Sequence, residues 1–461
     1  MRINKCEDIA RRAFLKRGGA LGIAGVAAPW ALNLAAIGEA AAQSATDYKA
    51  LVCVFLYGGN DHGNTLIPYD ATHYSLYQSI RGSTLAIAQA NLAGTVLTPA
   101  TALPDGLQFA LAPTMTALKP LFDQGRLAVQ LNVGTLIQPT TVAQYKAGSV
   151  PLPPKLFSHN DQQSIWQSSQ PEGSTTGWGG RMGDLFLSGN TNAALTCMSV
   201  TGNAVYLAGN QAIQYQVGTS GAISIRGINN SLFGSSACST ELRNLITQSS
   251  THFLENEYAA VTRRSIDTEA LVTSAVESAP TFVTTFNTSN SLAMQLQMVA
   301  KMIAARDTFG VSRQVFLVSM GGFDVHDRLS WTQPGLLTSV SDALRAFYDV
   351  TVELGIANSV TTFTASDFGR TLNSNGDGSD HGWGGHHFVV GGAVNGGNFY
   401  GTAPAIAVDG PDDVGRGRLL PTTSVDQFAA TLAYWFGVGD ADMATIVPNI
   451  GNFTVRNLGF V

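Results

Sequence analysis

Aspartate and histidine side chains occur together in the loops that follow several apolar segments of this chain, and their types suit the binding of a metal ion. The residues concerned are Asp61, Asp324, His326, Asp367 and His381. Asp324 and His326 are two positions apart, so in an extended segment their side chains share one face. Carboxylate and imidazole together are the ligand set of zinc, manganese or iron rather than of magnesium alone. The sequence therefore predicts a divalent-metal site.

Short apolar segments, most of them followed by glycine, predict the strands of a parallel sheet that is buried on both faces. They span residues 51–57, 126–132, 315–319, 360–364 and 388–390. Residues 291–306 and 336–354 predict helices, the second from apolar side chains at helical spacing. A strand, a helix and a strand in succession form a βαβ unit, so we expect a doubly wound α/β fold with a mostly parallel sheet and helices on both faces. Ligands bind beyond the carboxyl ends of such strands, where the aspartates and histidines lie.

Residues 190–285 differ in composition from the rest of the chain. Serine, threonine and asparagine dominate, and we expect no strong helix before about residue 251. We interpret this segment as an insertion, a cap or loop region, within a single domain of residues 43–461. Cys53 is expected to be a small buried side chain. For Cys197 and Cys238 the sequence leaves open a disulfide or two free thiols.

Residues 1–42 have the features of a twin-arginine signal peptide. The motif Arg-Arg-Ala-Phe-Leu-Lys at residues 11–16 precedes a mildly apolar segment, and three alanines at 40–42 offer a cleavage site before Gln43. The alternative is an N-terminal membrane anchor, which the low leucine and isoleucine content of residues 18–37 disfavours. We therefore expect export by the twin-arginine translocase to the periplasm or the medium, with no membrane span after signal removal.

The overall composition excludes several classes of protein. Only 13% of the residues are charged, which is atypical of a coiled coil or a disordered chain. Lys and Arg number 26 against 32 Asp and Glu, a net charge of −6 that offers no basic surface for nucleic acid. Ser319 lacks the glycine two residues before it that the nucleophile elbow of a serine esterase needs.

The motifs, taken in order, resemble those of a known family. They are GGND at 58–61, GGFDVHD at 321–327, SDFGR at 366–370 and SDHGWGG at 379–385, after a twin-arginine leader. From about Lys49 to the C-terminus the chain resembles the exported bacterial family named domain of unknown function 1501, which is similar to the alkaline phosphatase and sulfatase superfamily. Members of that superfamily hold two metal ions at strand ends. The resemblance implies an alkaline phosphatase-like fold in which Asp61, Asp324 with His326, Asp367 and His381 are metal ligands.

The chain departs from the superfamily pattern at Phe368, where a histidine ligand usually follows the aspartate directly. Either His386 or His387 substitutes for it, with His387 as our sixth predicted ligand, or one metal site is incomplete. The resemblance also implies a nucleophile at the start of a helix, where backbone N–H groups help to hold an anion. Ser158 is the first choice and Thr135 the reserve, although Ser158 is alternatively only a helix cap.

These residues predict a metal-assisted hydrolase of phosphate or sulfate esters, with a small anionic ester as its partner. Arg370 is expected to bind the anionic oxygens bidentately, and zinc is the first expected metal, with manganese, iron or calcium as alternatives. The competing hypothesis is a non-catalytic periplasmic binding or assembly protein that retains the fold and part of the site. For single residues, Asp61 as a helix cap and Asp367 as a turn aspartate remain the alternatives.

Overall fold

The computed structural model describes residues 47–461, and one large sheet runs through the centre of that part of the chain. The strands are β1 Lys49–Leu56, β2 Leu66–Pro68, β3 Phe109–Leu111, β4 Leu127–Gly134, β5 Cys197–Ser199, β6 Tyr215–Gly218, β7 Gly221–Ala222, β8 Arg313–Met320, β9 Val360–Ser366, β10 Gly385–Gly391, β11 Phe399–Tyr400 and β12 Thr423–Ser424. The large sheet has the order β11-β4-β10-β9-β1-β8-β5-β6-β7, with β12 also beside β4, and β2 pairs with β3 separately.

Strand direction decides which loops meet at the functional edge of this sheet. β1 is parallel to both β8 and β9, so the carboxyl ends of these three strands lie side by side. β10 is antiparallel to both β9 and β4. Because β10 runs the opposite way, the loop that precedes it reaches the same edge at which β1, β8 and β9 end. His381, four residues before β10, is delivered there.

Helices cover both faces of the sheet. They are α1 Ala71–Leu85, α2 Lys119–Asp123, α3 Val142–Ala147, α4 His159–Ser168, α5 Trp178–Phe186, α6 Ser236–Thr247, α7 Phe253–Glu277, α8 Ser291–Ala304, α9 Arg306–Phe309, α10 Leu329–Glu353, α11 Val425–Phe436 and α12 Asp440–Ile446. Alternate residues of β1 point to opposite faces. Val52 and Val54 pack with α8 and α10, whereas Leu51 and Phe55 pack with α5 and α11. The predicted α/β class, with a mostly parallel sheet between two helical layers, is confirmed.

The five predicted strands are β1, β4, β8, β9 and β10, and the two predicted helices are α8 and α10. β1 is buried over almost its whole length, which explains why it reads as a continuous apolar segment instead of alternating. α10 begins at Leu329, before the predicted start at residue 336. The side chains of Leu329 and Gln333 are also buried, so the buried face of the helix extends to its first turns.

Residues 190–285 begin inside the sheet, since β5 lies directly beside β8, and β6 and β7 extend its edge. The expectation that this segment has no strong helix before about residue 251 is wrong, because α6 spans the 12 residues Ser236–Thr247. α6 does have apolar side chains at helical spacing, at Cys238, Leu242, Leu245 and Ile246, but it is short and rich in serine, threonine and asparagine, which hides this pattern in the composition of the segment.

Cys53 is buried as expected. Cys197 is buried, Cys238 is exposed and both are free thiols, so the disulfide alternative is wrong. The predicted signal peptide, residues 1–42, lies outside the described residues. Between residues 47 and 461, no helix is both long and apolar enough to cross a membrane.

Candidate metal centre

The carboxylate of Asp324 is the centre of the site, and a close approach of two strand-end loops brings it there. β1 and β8 are paired in parallel as far as Leu56 and Met320, where they end. Gly58 has a φ of +116°, and a Cβ atom on it would lie 2.3 Å from the backbone nitrogen of Asp324. Glycine alone permits both this conformation and this approach, so the glycine after β1 admits the Asp324 loop.

Three imidazole rings surround the Asp324 carboxylate. Its Oδ1 lies 3.0 Å from Nε2 of His326 and 3.2 Å from Nε2 of His381. Its Oδ2 lies 3.4 Å from Nε2 of His159, the first residue of α4. The Nε2 atoms of His326 and His381 are 2.9 Å apart. Two nitrogen lone pairs at that distance repel each other unless a proton or a cation lies between them, so the cluster suits a positive charge.

Each ring is held in place through its other nitrogen. The contacts are His159 Nδ1 with Oδ2 of Asp367 at 2.6 Å, His381 Nδ1 with the carbonyl oxygen of Phe157 at 2.7 Å, and His326 Nδ1 with Oδ1 of Asp380 at 3.2 Å. Because these oxygens accept, we assign the proton of each neutral ring to Nδ1, which leaves a lone pair on Nε2. Metal-binding histidines are usually oriented in this way, by a carboxylate or a backbone carbonyl on the nitrogen that does not bind the metal.

The charges of the cluster also favour a cation. Burial alone would raise the pKa of Asp324, but the hydrogen bond and the positive charge of Arg370 lower it to about 2. The hydrogen bond to Asp367 raises the pKa of His159, whereas burial lowers the pKa of His381. Near neutral pH the cluster therefore contains an ionised carboxylate and a neutral His381 imidazole.

His159, Asp324 and His381 each offer one ligand atom, and these atoms all lie within 4.8 Å of one another. Nε2 of His159 is buried and has no hydrogen-bond partner among the described residues. A buried nitrogen without a partner is costly unless a ligand satisfies it. Two imidazole nitrogens and a carboxylate oxygen are typical zinc ligands, and they also suit manganese and iron. The residues present therefore fit a divalent metal ion.

Asp367 lies behind this cluster. It follows β9, as predicted, and its side chain is fully buried. Besides His159, its Oδ2 accepts hydrogen bonds from the backbone nitrogen of Gly58 at 3.1 Å and from Nε2 of Gln163 at 2.9 Å. Through Oδ2, Asp367 orients the outer nitrogen of His159. Its Oδ1 is buried without a hydrogen-bond partner among residues 47–461, so its role as a metal ligand stays a prediction.

Asp61, the first ligand predicted from the sequence, lies elsewhere. Its carboxylate forms a two-point ion pair with Arg81 of α1, and both side chains are 1% exposed. Oδ2 also accepts from the Ser379 hydroxyl at 2.9 Å, and Oδ1 accepts from the backbone nitrogen of Asn64. With both oxygens engaged, Asp61 is a structural ion-pair partner, and it also caps the short helical turn that follows it. Its assignment as a metal ligand is corrected accordingly.

His386 and His387, considered as substitutes for a histidine at position 368, also lie away from the cluster. Both are in β10, so their side chains point to opposite faces of the sheet. Nδ1 of His386 accepts from the backbone nitrogen of Asn132, and the His387 ring packs against Trp166. Burial lowers the pKa of His387 to about 3. The predicted ligand role of His387 is corrected, because the core surrounds its ring.

His159 of α4 is the residue that sequence reasoning missed. Its ring lies 4.9 Å from the ring of Phe368, and that of His381 lies 4.6 Å from the same phenylalanine. Phe368 thus packs against both histidines instead of binding the metal. One signal in the sequence points to His159, because it directly follows Ser158, the predicted nucleophile at the start of the same helix.

The predicted nucleophile and anion-binding residue are both engaged with the protein. The Ser158 hydroxyl donates to Oδ2 of Asp161 at 2.9 Å, and that of the reserve residue, Thr135, donates to Gln162. Ser158 occupies the cap position of α4 without a side-chain cap hydrogen bond. Arg370 is fully buried, with Nη1 on Oδ1 of Asp324 at 2.7 Å and Nη2 on the carbonyl oxygen of Ser379. Arg370 therefore positions Asp324 and has no Nη group directed at a substrate.

Comparison with known proteins gives a family match and two distant structural likenesses. The model of the family described as "Protein of unknown function (DUF1501)" matches residues 48–447, as the motifs predicted. The chain is similar to the lipoteichoic acid synthase LtaP from Listeria monocytogenes, with 9% identity and a TM-score of 0.35 over 90% of this chain and 77% of that chain. It is also similar to the PsFucS1 sulfatase from Pseudoalteromonas sp., with 11% identity and a TM-score of 0.34 over 94% and 77%. No curated protein matches the sequence.

Proposed function

This chain belongs to the DUF1501 family, and from that premise we propose a metal-dependent hydrolase of small phosphate or sulfate esters. His159, Asp324 and His381 would hold the metal ion. The observation that carries the proposal is the convergence of three imidazole Nε2 atoms on one carboxylate, each ring being fixed through its opposite nitrogen. Zinc is the first expected metal, manganese and iron suit the same donors, and calcium suits them least because it prefers oxygen ligands.

A bound divalent metal would supply Lewis acidity, which lowers the pKa of a water molecule and stabilises charge on an ester oxygen. The chain's own residues prepare the site for it. Asp367 keeps the proton of His159 on Nδ1, and Arg370 fixes the orientation of Asp324. The Asp324 side chain is 45% exposed, so an ester can reach the cluster from solvent.

His326 is suited to moving a proton. Its side chain is as exposed as that of Asp324, its Nε2 faces the cluster, and its Nδ1 is 3.2 Å from Oδ1 of Asp380. The hydrogen bond from Asn375 lowers the pKa of Asp380, which keeps that carboxylate ionised behind the ring. A histidine oriented by a carboxylate is the usual arrangement of a general base. We assign His326 the role of general base, whose Nε2 accepts a proton from the attacking water.

Metal analysis combined with an ester screen tests this proposal. We expect about one equivalent of a transition metal per folded chain, and loss of that metal in Asp324→Asn and His159→Ala. Chromogenic phosphate and sulfate esters, supplied separately with zinc or manganese, then test turnover. Asp349→Asn, on α10, is the matched control, because within residues 47–461 the Asp349 carboxylate pairs only with Arg345. Wild-type protein that binds no metal would refute the proposed centre.

Export is part of the proposal, with residues 1–42 as the twin-arginine signal peptide. A reporter fused behind these residues should reach the periplasm, and replacing both Arg11 and Arg12 by lysine should keep it in the cytoplasm. Export that continues after this double replacement would contradict the twin-arginine route.

A second candidate function is a non-catalytic binding or assembly protein that retains the metal centre. It is favoured by one observation, that Ser158 and Arg370 are both occupied by protein partners. Turnover of an ester that His381→Ala abolishes would exclude this function. Metal binding without turnover of any phosphate or sulfate ester would support it.

A further inference from the structure

Arg418 is a cation held against the residues of the metal centre. Its Nε donates to the carbonyl oxygen of His381 at 2.9 Å. Its guanidinium lies 4.4 Å from the centre of the Phe157 ring, a cation–π contact. The carbonyl oxygen of Phe157 in turn holds Nδ1 of His381. Arg418 therefore contacts one proposed metal ligand, His381, and also Phe157, the residue that holds the ring of that ligand.

The rest of the Arg418 guanidinium is available. Within residues 47–461, neither of its Nη groups has a hydrogen bond or an ion pair, and the side chain is partly exposed. Arg81 and Arg370, by contrast, are buried and paired with carboxylates. A guanidinium whose plane is fixed and whose two Nη groups are free matches the two oxygens of a phosphate or sulfate group.

The turn that carries Arg418 is built around one buried carboxylate. Asp413 is 0% exposed and accepts hydrogen bonds from the backbone nitrogens of Gly415 at 2.7 Å and Gly417 at 3.0 Å. Gly415, Arg416 and Gly417 all have positive φ, which is an unfavourable conformation for Arg416. The hydrogen bonds of Asp413 thus fix the backbone just before Arg418. This fixed backbone, together with the contacts of Arg418 itself, sets the direction of the Arg418 side chain.

We propose that Arg418, in place of Arg370, binds the anionic oxygens of the ester beside the metal centre. The inference rests on the proposed function and names the residue that recognises the substrate class. Stacking on Phe157 and the hydrogen bond to His381 already order the Arg418 side chain. Anion binding therefore costs less side-chain entropy, which strengthens the interaction. Inorganic phosphate and inorganic sulfate carry the same oxygens and serve as separate probes.

Calorimetric titration of the metal-loaded protein with each anion is the test, with metal affinity measured in parallel. Arg418→Gln is expected to weaken anion binding by about 10- to 100-fold, because two charge-assisted hydrogen bonds are lost. Arg418→Lys keeps the charge without the planar fork and should weaken binding by about tenfold. Arg416→Gln is the matched control, because Arg416 is exposed on the same turn and its replacement by glutamine removes the same charge. It should stay within about twofold of wild type.

Three results would overturn the inference. They are anion affinity in Arg418→Gln equal to wild type, an equal loss in Arg416→Gln, and a loss of metal affinity as large as the loss of anion affinity. The last would make Arg418 a support of His381 only. Failure of the proposed function is distinguishable, because Arg418-dependent anion binding without ester turnover keeps the inference and rejects the hydrolase. Ester turnover that Arg418→Gln leaves unchanged would keep the hydrolase and reject the role of Arg418.

Discussion

Asparagine substitutions at Asp367 and Asp61 separate the roles that the structure gives two buried aspartates. Asp367→Asn keeps the size of the side chain but removes the carboxylate from Nδ1 of His159, 2.6 Å away. Loss of such an orienting partner weakens metal binding by about 10- to 100-fold, or about 1.4–2.8 kcal/mol. The hydrogen bond to Asp367 also raises the pKa of His159. In metal-free Asp367→Asn that pKa should therefore fall towards the ordinary histidine value.

Asp61→Asn is the comparison. It leaves the Arg81 guanidinium, 1% exposed, without its counter-charge. Breaking a buried ion pair by removing one partner costs about 3–5 kcal/mol, so the free energy of unfolding should fall by about that amount. The metal affinity of the folded protein should stay unchanged, because Asp61 lies outside the cluster.

Zinc titration by calorimetry, urea unfolding in the presence of a chelator and NMR titration of the histidines measure these quantities. A weaker metal affinity in folded Asp61→Asn would refute our reading of Asp61 as a structural residue. Wild-type metal affinity in Asp367→Asn, together with an unshifted His159 pKa, would refute the orienting role of Asp367.

Two further predictions concern Ser158 and Asp426. Ser158→Ala should change metal affinity and ester turnover by less than about tenfold, because the hydroxyl is bound to Asp161; a loss comparable to that in His381→Ala, in the same assay, would restore Ser158 as the nucleophile. Burial raises the pKa of Asp426 to about 6. Between about pH 4 and pH 6 the unfolded chain has therefore released a proton that the folded protein still holds. The contribution of Asp426 thus lowers the free energy of unfolding as the pH rises through this window. Asp426→Asn should therefore be more stable than wild type above pH 6, by up to about 3 kcal/mol, with the difference shrinking towards pH 4 in urea unfolding series; a difference that does not depend on pH would contradict the assignment.

The sequence carried enough information to predict the sheet and the loops of the site. Strands covered on both faces are continuously apolar, so β1, β4, β8 and β9 could be recognised from local composition. The glycines after β1 and β8 marked the places where those strands end. Asp324, His326 and His381 could then be placed at the sheet edge, because parallel strands bring their carboxyl ends together.

The roles within that edge depended on partners far away in the chain. Asp61 is neutralised by Arg81, 20 residues later on α1, and no local pattern distinguishes an aspartate that binds a metal from one that binds an arginine. His386 and His387 looked like loop histidines beside a glycine-rich segment, yet β10 extends over them and turns one to each face of the core.

The α/β class, the family and the loops in which the aspartates and histidines cluster could be predicted from the sequence, because apolar segments, glycines and ordered motifs are local features. Which of these side chains face one another depends on the folded chain. His159 reaches Asp324 from a helix 165 residues earlier in the chain, and Asp367, 208 residues after His159, fixes its ring. Such pairings follow from how α4 packs against β9, and packing depends on the whole chain at once.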